Sequence, residues 1–432
     1  MRRFLASALL VSSLFGVGCA SSPAMVRAAE GGDNKTLRTE IDARHKLGTL
    51  TNDEAATLAH AVADREIKTS KGDDAAKRVR EVRGCAGELD DTLADRMKTH
   101  DEAGAEAAMA RFDLGKLDGS DVRPYATDKN DVWRAVGVRG LTREIDHPAR
   151  LRAMTDPSPR VRRAAMRASS SAHDASEVDA LAEAVRIDPE PMVRSDAVRA
   201  LGAIGGEKVA AILRDSWVNA DDGIREDIAA AWVVPDTYAH GGRESLRVLI
   251  ASKTGPGVIA GASAVARSAP KDRELHDSAV GLLVRSVASA PRRDRLHAIA
   301  VAPVVDADVL GAMRKAAHED DIETKVSAFA RLLESPADRA EAVQNLESIS
   351  GQNYGALSGR ARFALAIAGD LRIQAWIEAD LLSADAQTRL SAVGSLAALG
   401  RSARGAMLLA DPDPSVRASA ACTLLSAPRT AH

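Results

Sequence analysis

Apolar residues recur along this chain in short helical stripes, and the stripes themselves repeat about every thirty residues. In each copy a polar residue precedes a helix, a branched residue and an arginine follow, and a small residue comes three positions after the arginine. The clearest copies read Ser158-Pro-Arg-Val-Arg162, Glu190-Pro-Met-Val-Arg194, Asp385-Ala-Gln-Thr-Arg389 and Asp413-Pro-Ser-Val-Arg417. A unit of this length cannot bury its own apolar face, so it must stack on its neighbours.

The arginine position sets the register of the repeat, and we call these residues the arginine ladder. Its members are Arg134, Arg162, Arg194, Arg225, Arg362, Arg389 and Arg417. The residues one before, three after and seven after each ladder position share one helical face, which is the predicted core stripe. Other helices are predicted between them, for example around residues 178–185 and 277–284. The sequence therefore predicts an all-α fold, an α-solenoid (superhelix) of stacked antiparallel helix pairs.

These D-P-x-V-R-x-x-A lines resemble the HEAT repeat, in the short variety shared with phycobilisome lyase-type proteins. The resemblance covers residues 125–432, the predicted solenoid, and implies a scaffold that binds proteins. It also leaves an alternative open, because that family includes enzymes or enzyme subunits that resemble bilin lyases and act on linear tetrapyrroles attached to cysteine. The copies at Ile259 and near Arg293 depart from the pattern and are expected to mark a bend or a functional face.

The N-terminus is typical of an export signal. A basic start, Met1-Arg-Arg, precedes an apolar stretch from Phe4 to Gly18 that is too short to span a bilayer, which needs ~20 residues. Residues 1–18 are therefore predicted to be a signal peptide. The sequence up to Cys19 resembles a bacterial lipobox, which implies a lipidated Cys19 and an anchor in the cell envelope, at the periplasmic face of the outer membrane. Ordinary cleavage to a soluble periplasmic protein is the alternative.

Two segments separate the signal from the solenoid. Residues 19–34 are small and polar, and they are predicted to be a flexible tether. Residues 35–124 are charged and helical, with a capping box at Thr51–Glu54 before a helix over residues 55–67. This region is interpreted as divergent capping repeats, since exposed terminal repeats need a polar outer face. A separate helical bundle is the alternative.

Charge and cysteine content narrow the prediction further. The net charge of −3 gives no reason to expect nucleic acid, which requires a concentrated basic face. Cys85 lies in the N-terminal helices and Cys422 in the last repeat. With packed helices ~8–10 Å apart, the ends of an open stack would lie on the order of 80–100 Å from each other. Both cysteines are therefore expected to be free thiols, buried or partly buried.

Catalytic motifs are missing from the sequence. The His residues are scattered without an i,i+4 pair, no Cys pair has zinc-ligand spacing, and no nucleophile elbow or complete phosphate loop is present. Acidic pairs such as Asp221-Asp222 fall where helix caps belong. We therefore predict no catalytic residues, no metal and no cofactor, and expect that the protein is not an enzyme.

Two groups of residues are candidates for partner binding. The arginine ladder could bind acidic partners, or each arginine could pair with a cap carboxylate or carbonyl of the adjoining unit; its recurrence with the repeat favours the structural interpretation. Trp232 and Tyr238 flank a helix-breaking proline, and they are the candidate partner-binding anchors. The sequence thus predicts a membrane-tethered, non-catalytic scaffold for protein partners in the bacterial envelope.

Overall fold

The computed structural model describes residues 23–252, 254–268 and 271–428. The predicted signal peptide, residues 1–18, and Cys19 lie outside these ranges. The α-helices in chain order are α1 Pro23–Gly31, α2 Asn34–Leu47, α3 Asn52–Thr69, α4 Gly72–Glu81, α5 Asp90–Met97, α6 Glu102–Asp113, α7 Gly119–Val122, α8 Asp131–Arg139, α9 His147–Met154, α10 Pro159–Ala172, α11 Val178–Ile187, α12 Pro191–Ile204, α13 Glu207–Trp217, α14 Asp222–Trp232, α15 Pro235–Thr237, α16 Arg243–Ser252, α17 Pro256–Ser268, α18 Arg273–Ser289, α19 Arg292–Val301, α20 Ala307–Ala317, α21 Ile322–Leu332, α22 Arg339–Ser350, α23 Ala356–Ile367, α24 Gln374–Asp380, α25 Ala386–Ala398, α26 Ser402–Gly405 and α27 Pro414–Ser426.

The chain forms an all-α solenoid, and its described ranges contain no strand. Twelve helix pairs follow α1 and α2, each with an inner and an outer member. The inner helices are α4, α6, α8, α10, α12, α14, α17, α19, α21, α23, α25 and α27. Successive inner helices pack closely along the solenoid, whereas successive outer helices meet little, except α18 and α20, which also pack closely. The inner layer therefore lies on the concave side. None of the helices in the described ranges combines the length and the apolar content needed to cross a membrane.

The repeat motif forms its helices as the sequence predicts. Asn130, Asp221 and Asp413 are N-caps whose side-chain oxygens accept backbone N–H groups of the first turn. The Thr51–Glu54 capping box is present before α3. The core stripe is also confirmed, since the residues one before and three after Arg194 and the leucine seven after it are all fully buried. These apolar faces meet the outer helices and form one continuous core along the chain.

Small residues three positions after the ladder allow helices to approach closely. The clearest case is Gly137 on α8, where an added methyl group would overlap the backbone of Tyr125 and Ala126 in the preceding 3-10 turn. Any side chain at this position would push the two elements apart. The repeat therefore needs a small residue here to keep the packing distance between its two helices.

The two ends of the solenoid meet, so the array is a closed ring. The last inner helix, α27, packs against α3, α4 and the 3-10 turn Arg83–Leu89. Cys85 in that turn forms a disulfide with Cys422 on α27, with 5.3 Å between the Cα atoms. The expectation of two free thiols, on the order of 80–100 Å apart, is therefore wrong. It treated the stack as straight, whereas the rotation from repeat to repeat brings the ends together.

The N-terminal segments are part of the ring. The tether predicted over residues 19–34 is wrong where the structure describes it, because α1 is a helix whose Met25 and Ala29 are fully buried against α3. Residues 35–124 contribute helix pairs to the same core. They do not cap an open end, since α3 and α4 cover the last repeat.

Candidate binding surface

The arginine ladder spans the junctions between repeats. Arg134 Nε and Nη2 donate to Asp156 Oδ2 and Oδ1 at 2.8 and 3.0 Å, and its Nη1 donates to the Asp128 carbonyl at 2.7 Å. Arg162 contacts Asp188 in the same way, at 2.7 and 2.9 Å. The hydrogen bond that Arg134 donates to Asp156 is the main cause that raises the pKa of Arg134. Each such arginine therefore connects the start of one inner helix to the loop after the next outer helix.

The remaining ladder members vary this arrangement. Arg389 makes the paired contact with Asp411, and Arg194 donates to Asp221 at 3.1 Å. Arg362 contacts Asp380 and the Ser350 carbonyl. Two further arginines occupy ladder positions: Arg225, which the predicted ladder includes, and Arg295, which it does not.

Arg225 donates to the carbonyls of Trp217 and Val218, each at 3.3 Å. Arg295, which follows the N-cap Pro291 by four residues, occupies the ladder position of the degenerate copy and donates to the Val287 carbonyl at 2.9 Å. The sequence indicates a degenerate copy near residues 293–296, a range that contains Arg295, but the predicted ladder did not include this arginine. Its register is visible only once the proline is recognised as the N-cap.

The last ladder arginine closes the ring. Arg417 Nε donates to Glu66 Oε1 at 2.7 Å, and Glu66 lies on α3, so this ion pair joins the last repeat to the N-terminal helices. Arg65 Nη2 contacts the same oxygen at 2.5 Å. Burial favours a raised pKa for Glu66, but the hydrogen bonds from Arg417 and Arg65 outweigh it and lower the pKa. The ladder thus continues across the junction between the two ends.

Other polar contacts join the ends. Asn52 Nδ2 donates to the Gly400 carbonyl at 3.0 Å, and its Oδ1 accepts from the Ala403 N–H at 2.9 Å. His45 Nε2 lies 2.7 Å from the Ala403 carbonyl. We call this junction, with Glu66, Cys85 and their partners on α27, the seam. It has the same kinds of contact as the junctions between consecutive repeats.

The concave face is formed by inner-helix positions two before, one after and five after the ladder arginine, opposite the core stripe. Its curvature is evident from ion pairs that bridge alternate helices. Arg160 on α10 contacts Glu102 on α6 at 3.1 Å, in front of α8. Arg293 on α19 contacts Asp222 on α14 at 3.3 Å, in front of α17. Side chains at most of these positions face the inside of the ring, although Ala135, Ala418 and Cys422 are buried in the core.

One section of the concave face is rich in arginine. Six guanidinium groups from α4, the following 3-10 turn, α8 and α10 surround a cavity of about 300 Å³. We call this site the arginine pocket; its arginines are Arg80, Arg83, Arg139, Arg160, Arg163 and Arg167. Apolar side chains, including Met109 and Val132, line the space between them. None of the six belongs to the ladder, so the sequence analysis did not identify them.

A second section, across the ring on α21, α23 and α25, is apolar. A groove of about 1010 Å³ is lined there by Val326, Ala330, Gly359, Phe363, Ile367 and Gly394, and we call it the apolar groove. The side chains of Phe363 and Ile367 are 44% and 64% exposed, although both lie within a regular helix. Large apolar side chains clustered at a concave surface are typical of contact sites for other molecules.

The structure does not bring Trp232 to the surface. Its side chain is only 2% exposed and stacks on Trp217 with the ring centroids 5.4 Å apart. Trp232 ends α14 inside the core, so its assignment as a binding anchor is wrong: burial with Trp217 of the preceding helix α13 leaves its indole ring inaccessible to a partner. Tyr238 is half-buried and its hydroxyl donates to Asp272 Oδ2 at 2.8 Å. Burial and this hydrogen bond raise the pKa of Tyr238 to about 12.

One cluster in the described ranges has donor atoms close enough for a metal ion: His147, Asp174 and Glu177. A guanidinium group already binds this cluster: the fully buried Arg150 donates to Glu177 at 2.7 Å and to Asp174 at 3.0 Å. A cation is thus already supplied by the chain, and we assign the cluster a structural role at a repeat junction. Its members come from consecutive repeats, so no local spacing in the sequence indicates it.

With this geometry established, comparison with known proteins identifies the repeat. The family described as HEAT repeats matches residues 147–232, which contain α9 to α14. These residues are therefore similar to HEAT repeats. No curated protein matches its sequence.

Three solved structures resemble it at low sequence identity and low TM-score. An engineered protein is 16% identical, with a TM-score of 0.29, covering 78% of this chain and 98% of its own. A triple mutant of the karyopherin Kap121p is 12% identical, with a TM-score of 0.34, covering 88% of this chain and 52% of its own. Kap121p bound to the extreme C-terminus of the protein phosphatase Cdc14p gives the same identity and TM-score, covering 88% and 50%. This chain therefore spans about half the length of the karyopherins.

Proposed function

We propose that this HEAT-repeat protein is a non-catalytic scaffold that binds a protein partner on the concave face of its ring. The observation that carries the proposal is the pair of unused surfaces inside the ring, the arginine pocket and the apolar groove. Neither serves the core, and both are formed by regular helices that hold their side chains in fixed positions. Rigid, pre-formed surfaces of this kind lower the entropy lost on binding.

The proposal includes a membrane anchor at Cys19 and an envelope location, with a soluble periplasmic protein as the alternative. The disulfide between Cys85 and Cys422 supports an oxidising compartment, since such bonds are rare in reducing ones. Intact mass of the mature protein tests the anchor. A chain that starts at Cys19 with a diacylglycerol mass supports it, and an unmodified chain that starts further along contradicts it.

Site-specific photocrosslinking tests the binding function. A photoreactive phenylalanine analogue at Phe363, in the apolar groove, is expected to crosslink one reproducible protein in isolated envelopes. The matched control places the same group at Leu47, which is 73% exposed on α2, away from the concave face. Absence of a reproducible adduct from Phe363, or an equal yield of the same adduct from Leu47, contradicts the proposal.

A second pair of variants tests whether the groove itself provides affinity. Ile367→Glu places a charge in the apolar groove and is expected to abolish the adduct formed at Phe363. Ile145→Glu is the control, because Ile145 is 79% exposed outside the groove. No observation in the described ranges favours the bilin lyase alternative. It stays a prediction, which incubation with bilins and a thiol acceptor would test.

A further inference from the structure

We propose that the arginine pocket binds an acidic, extended peptide segment of the partner protein. This inference rests on the proposed scaffold function and specifies the chemistry of its ligand. It starts from an imbalance of charge. The six arginines of the pocket contact only four carboxylates, in a chain whose net charge is −3. The pocket therefore has a local positive excess that the rest of the chain does not have.

The carboxylates are shared between arginines. Glu102 lies 3.3 Å from Arg80 and 3.1 Å from Arg160. Asp196 lies 2.9 Å from Arg163 and 3.2 Å from Arg167, and it also contacts Arg199. A guanidinium group has five N–H donors, so each shared carboxylate leaves several donors for a ligand. The arginines are held in place by these contacts without being saturated by them.

Exposure and spacing favour a peptide. The side chains of Arg160, Arg163 and Arg167 are 50%, 31% and 45% exposed. Arg160 and Arg167 lie two helical turns apart on α10, a rise of ~10 Å. Carboxylates three residues apart on an extended polyproline II chain lie on the same face with nearly the same separation, since that conformation has three residues per turn and advances ~3.1 Å per residue. Two acidic side chains of one such segment can therefore meet both ends of this arginine row.

The apolar lining of the arginine pocket favours a peptide over a simple anion as its ligand. Met109 and Val132 lie between the guanidinium groups, where an inorganic phosphate would have no partner, whereas a side chain between two acidic residues would pack there. Nucleic acid is disfavoured because the concave face on α21, α23 and α25 is a largely apolar groove, so the inside of the ring does not offer one concentrated basic face.

The closed ring favours a linear segment over a folded domain. For twelve inner helices ~8–10 Å apart, a circular ring has a perimeter of roughly 100–120 Å. Allowing ~5–6 Å for the half-width of each helix leaves an opening roughly 20–27 Å across. A folded domain of ~100 residues has a radius of gyration of ~13 Å and a diameter near 34 Å, which is too wide. An extended chain or a single helix fits.

Fluorescence anisotropy with the full-length protein tests the inference. The probe is a labelled twelve-residue peptide with glutamate at every third position and alanine or leucine between. Wild type is expected to bind it, at least tenfold more weakly in 300 mM than in 50 mM NaCl. Arg160→Glu/Arg167→Glu is expected to weaken binding at least tenfold. Arg152→Glu/Arg214→Glu changes the charge equally at exposed positions of the outer helices α9 and α13 and is expected to leave binding unchanged.

The outcomes separate the alternatives. Competition by inorganic phosphate or a twelve-nucleotide single strand as effective as that by unlabelled peptide would overturn the peptide assignment. Equal loss in both double variants, or no binding at 1 mM peptide, would also overturn it. Arg160→Gln/Arg167→Gln, with its thermal unfolding checked, keeps the test valid where charge reversal unfolds the ring. If the labelled peptide does not bind while Phe363 still gives its crosslink, the scaffold function is retained and only the peptide assignment is overturned.

Discussion

The disulfide between Cys85 and Cys422 is expected to be the largest single contribution to the stability of the ring. It closes a loop of 337 residues. In the chain-entropy treatment, a loop of that length lowers the entropy of the unfolded state enough to stabilise the fold by about 6 kcal/mol at 25 °C. Engineered bonds often give less, so this value is an upper bound. It acts on the unfolded chain and does not depend on the seam contacts.

The corresponding change in melting temperature follows from the size of the protein. Unfolding entropy is ~2.1 cal/mol/K per residue near 60 °C, or about 0.85 kcal/mol/K for roughly 400 residues. Loss of about 6 kcal/mol therefore lowers the melting temperature by about 7 °C if the ring unfolds in one transition. If the repeats unfold in smaller groups, the helices at the seam melt first and shift more.

The assay compares oxidised wild type, reduced wild type and Cys85→Ala/Cys422→Ala by calorimetry and small-angle scattering. Both forms without the bond are expected to melt lower, with an unchanged radius of gyration, because Glu66 and Asn52 still join the ends. Reductant should not shift the double variant further. A shift under 1 °C, or alkylation of both cysteines in denatured, unreduced protein, would refute the reasoning.

Three further predictions follow from single contacts. Gly137→Ala is expected to lower the free energy of unfolding by about 3 kcal/mol, because the added methyl overlaps the backbone. Gly359→Ala has nothing within 4 Å of the added methyl and should raise the free energy of unfolding by about 0.5–1 kcal/mol. Chemical denaturation measures both. Glu66→Gln should cost about 3 kcal/mol at the buried seam, and Glu183→Gln, on an exposed pair within α11, should cost under about 0.5 kcal/mol. Hydrogen bonding to Arg243 is the main cause that lowers the pKa of Asp272 to about 2. The ionised Asp272 therefore stabilises the fold fully above pH 3.8, and this contribution is lost as the pH falls toward 2. An NMR titration in which the Asp272 carboxyl group titrates near 3.8 would contradict this.

The repeat could be predicted from the sequence because its signals are local. An N-cap such as Asp413, the arginine four residues later and the small residue after it all act within one helix and its neighbour. The helix α1 was missed although its buried residues, Met25, Ala28 and Ala29, have helical spacing. The serines and glycines around them dominated the composition, and the surface of α3 that buries them is not visible locally.

Ring closure could not be predicted from the period. The length of a repeat fixes how many pairs the chain forms, but the rotation between pairs depends on small differences in spacing between the inner and outer layers. The positions of Cys85 and Cys422 in the sequence therefore did not indicate that the two residues lie close together in the fold. The arginine pocket was missed for a different reason. Its residues occupy concave positions in only a few repeats, so alignment on the ladder alone did not reveal them; reading the concave positions down the same alignment would have done so.

The solenoid also curves where the repeat departs from its pattern. Twelve pairs that close a circle need a mean turn of about 30° per pair. In the copy where Ile259 replaces the ladder arginine, Gly257 allows α17 so close to α14 that an added methyl would overlap the side chain of Arg225. In front of this helix, His297 on α19 comes within 3.7 Å of Glu226 on α14. Loss of the arginine removes a side chain that elsewhere spans the junction, and the small residue lets the inner helices converge. The irregular copy is therefore one of the points at which the solenoid bends enough to become a ring.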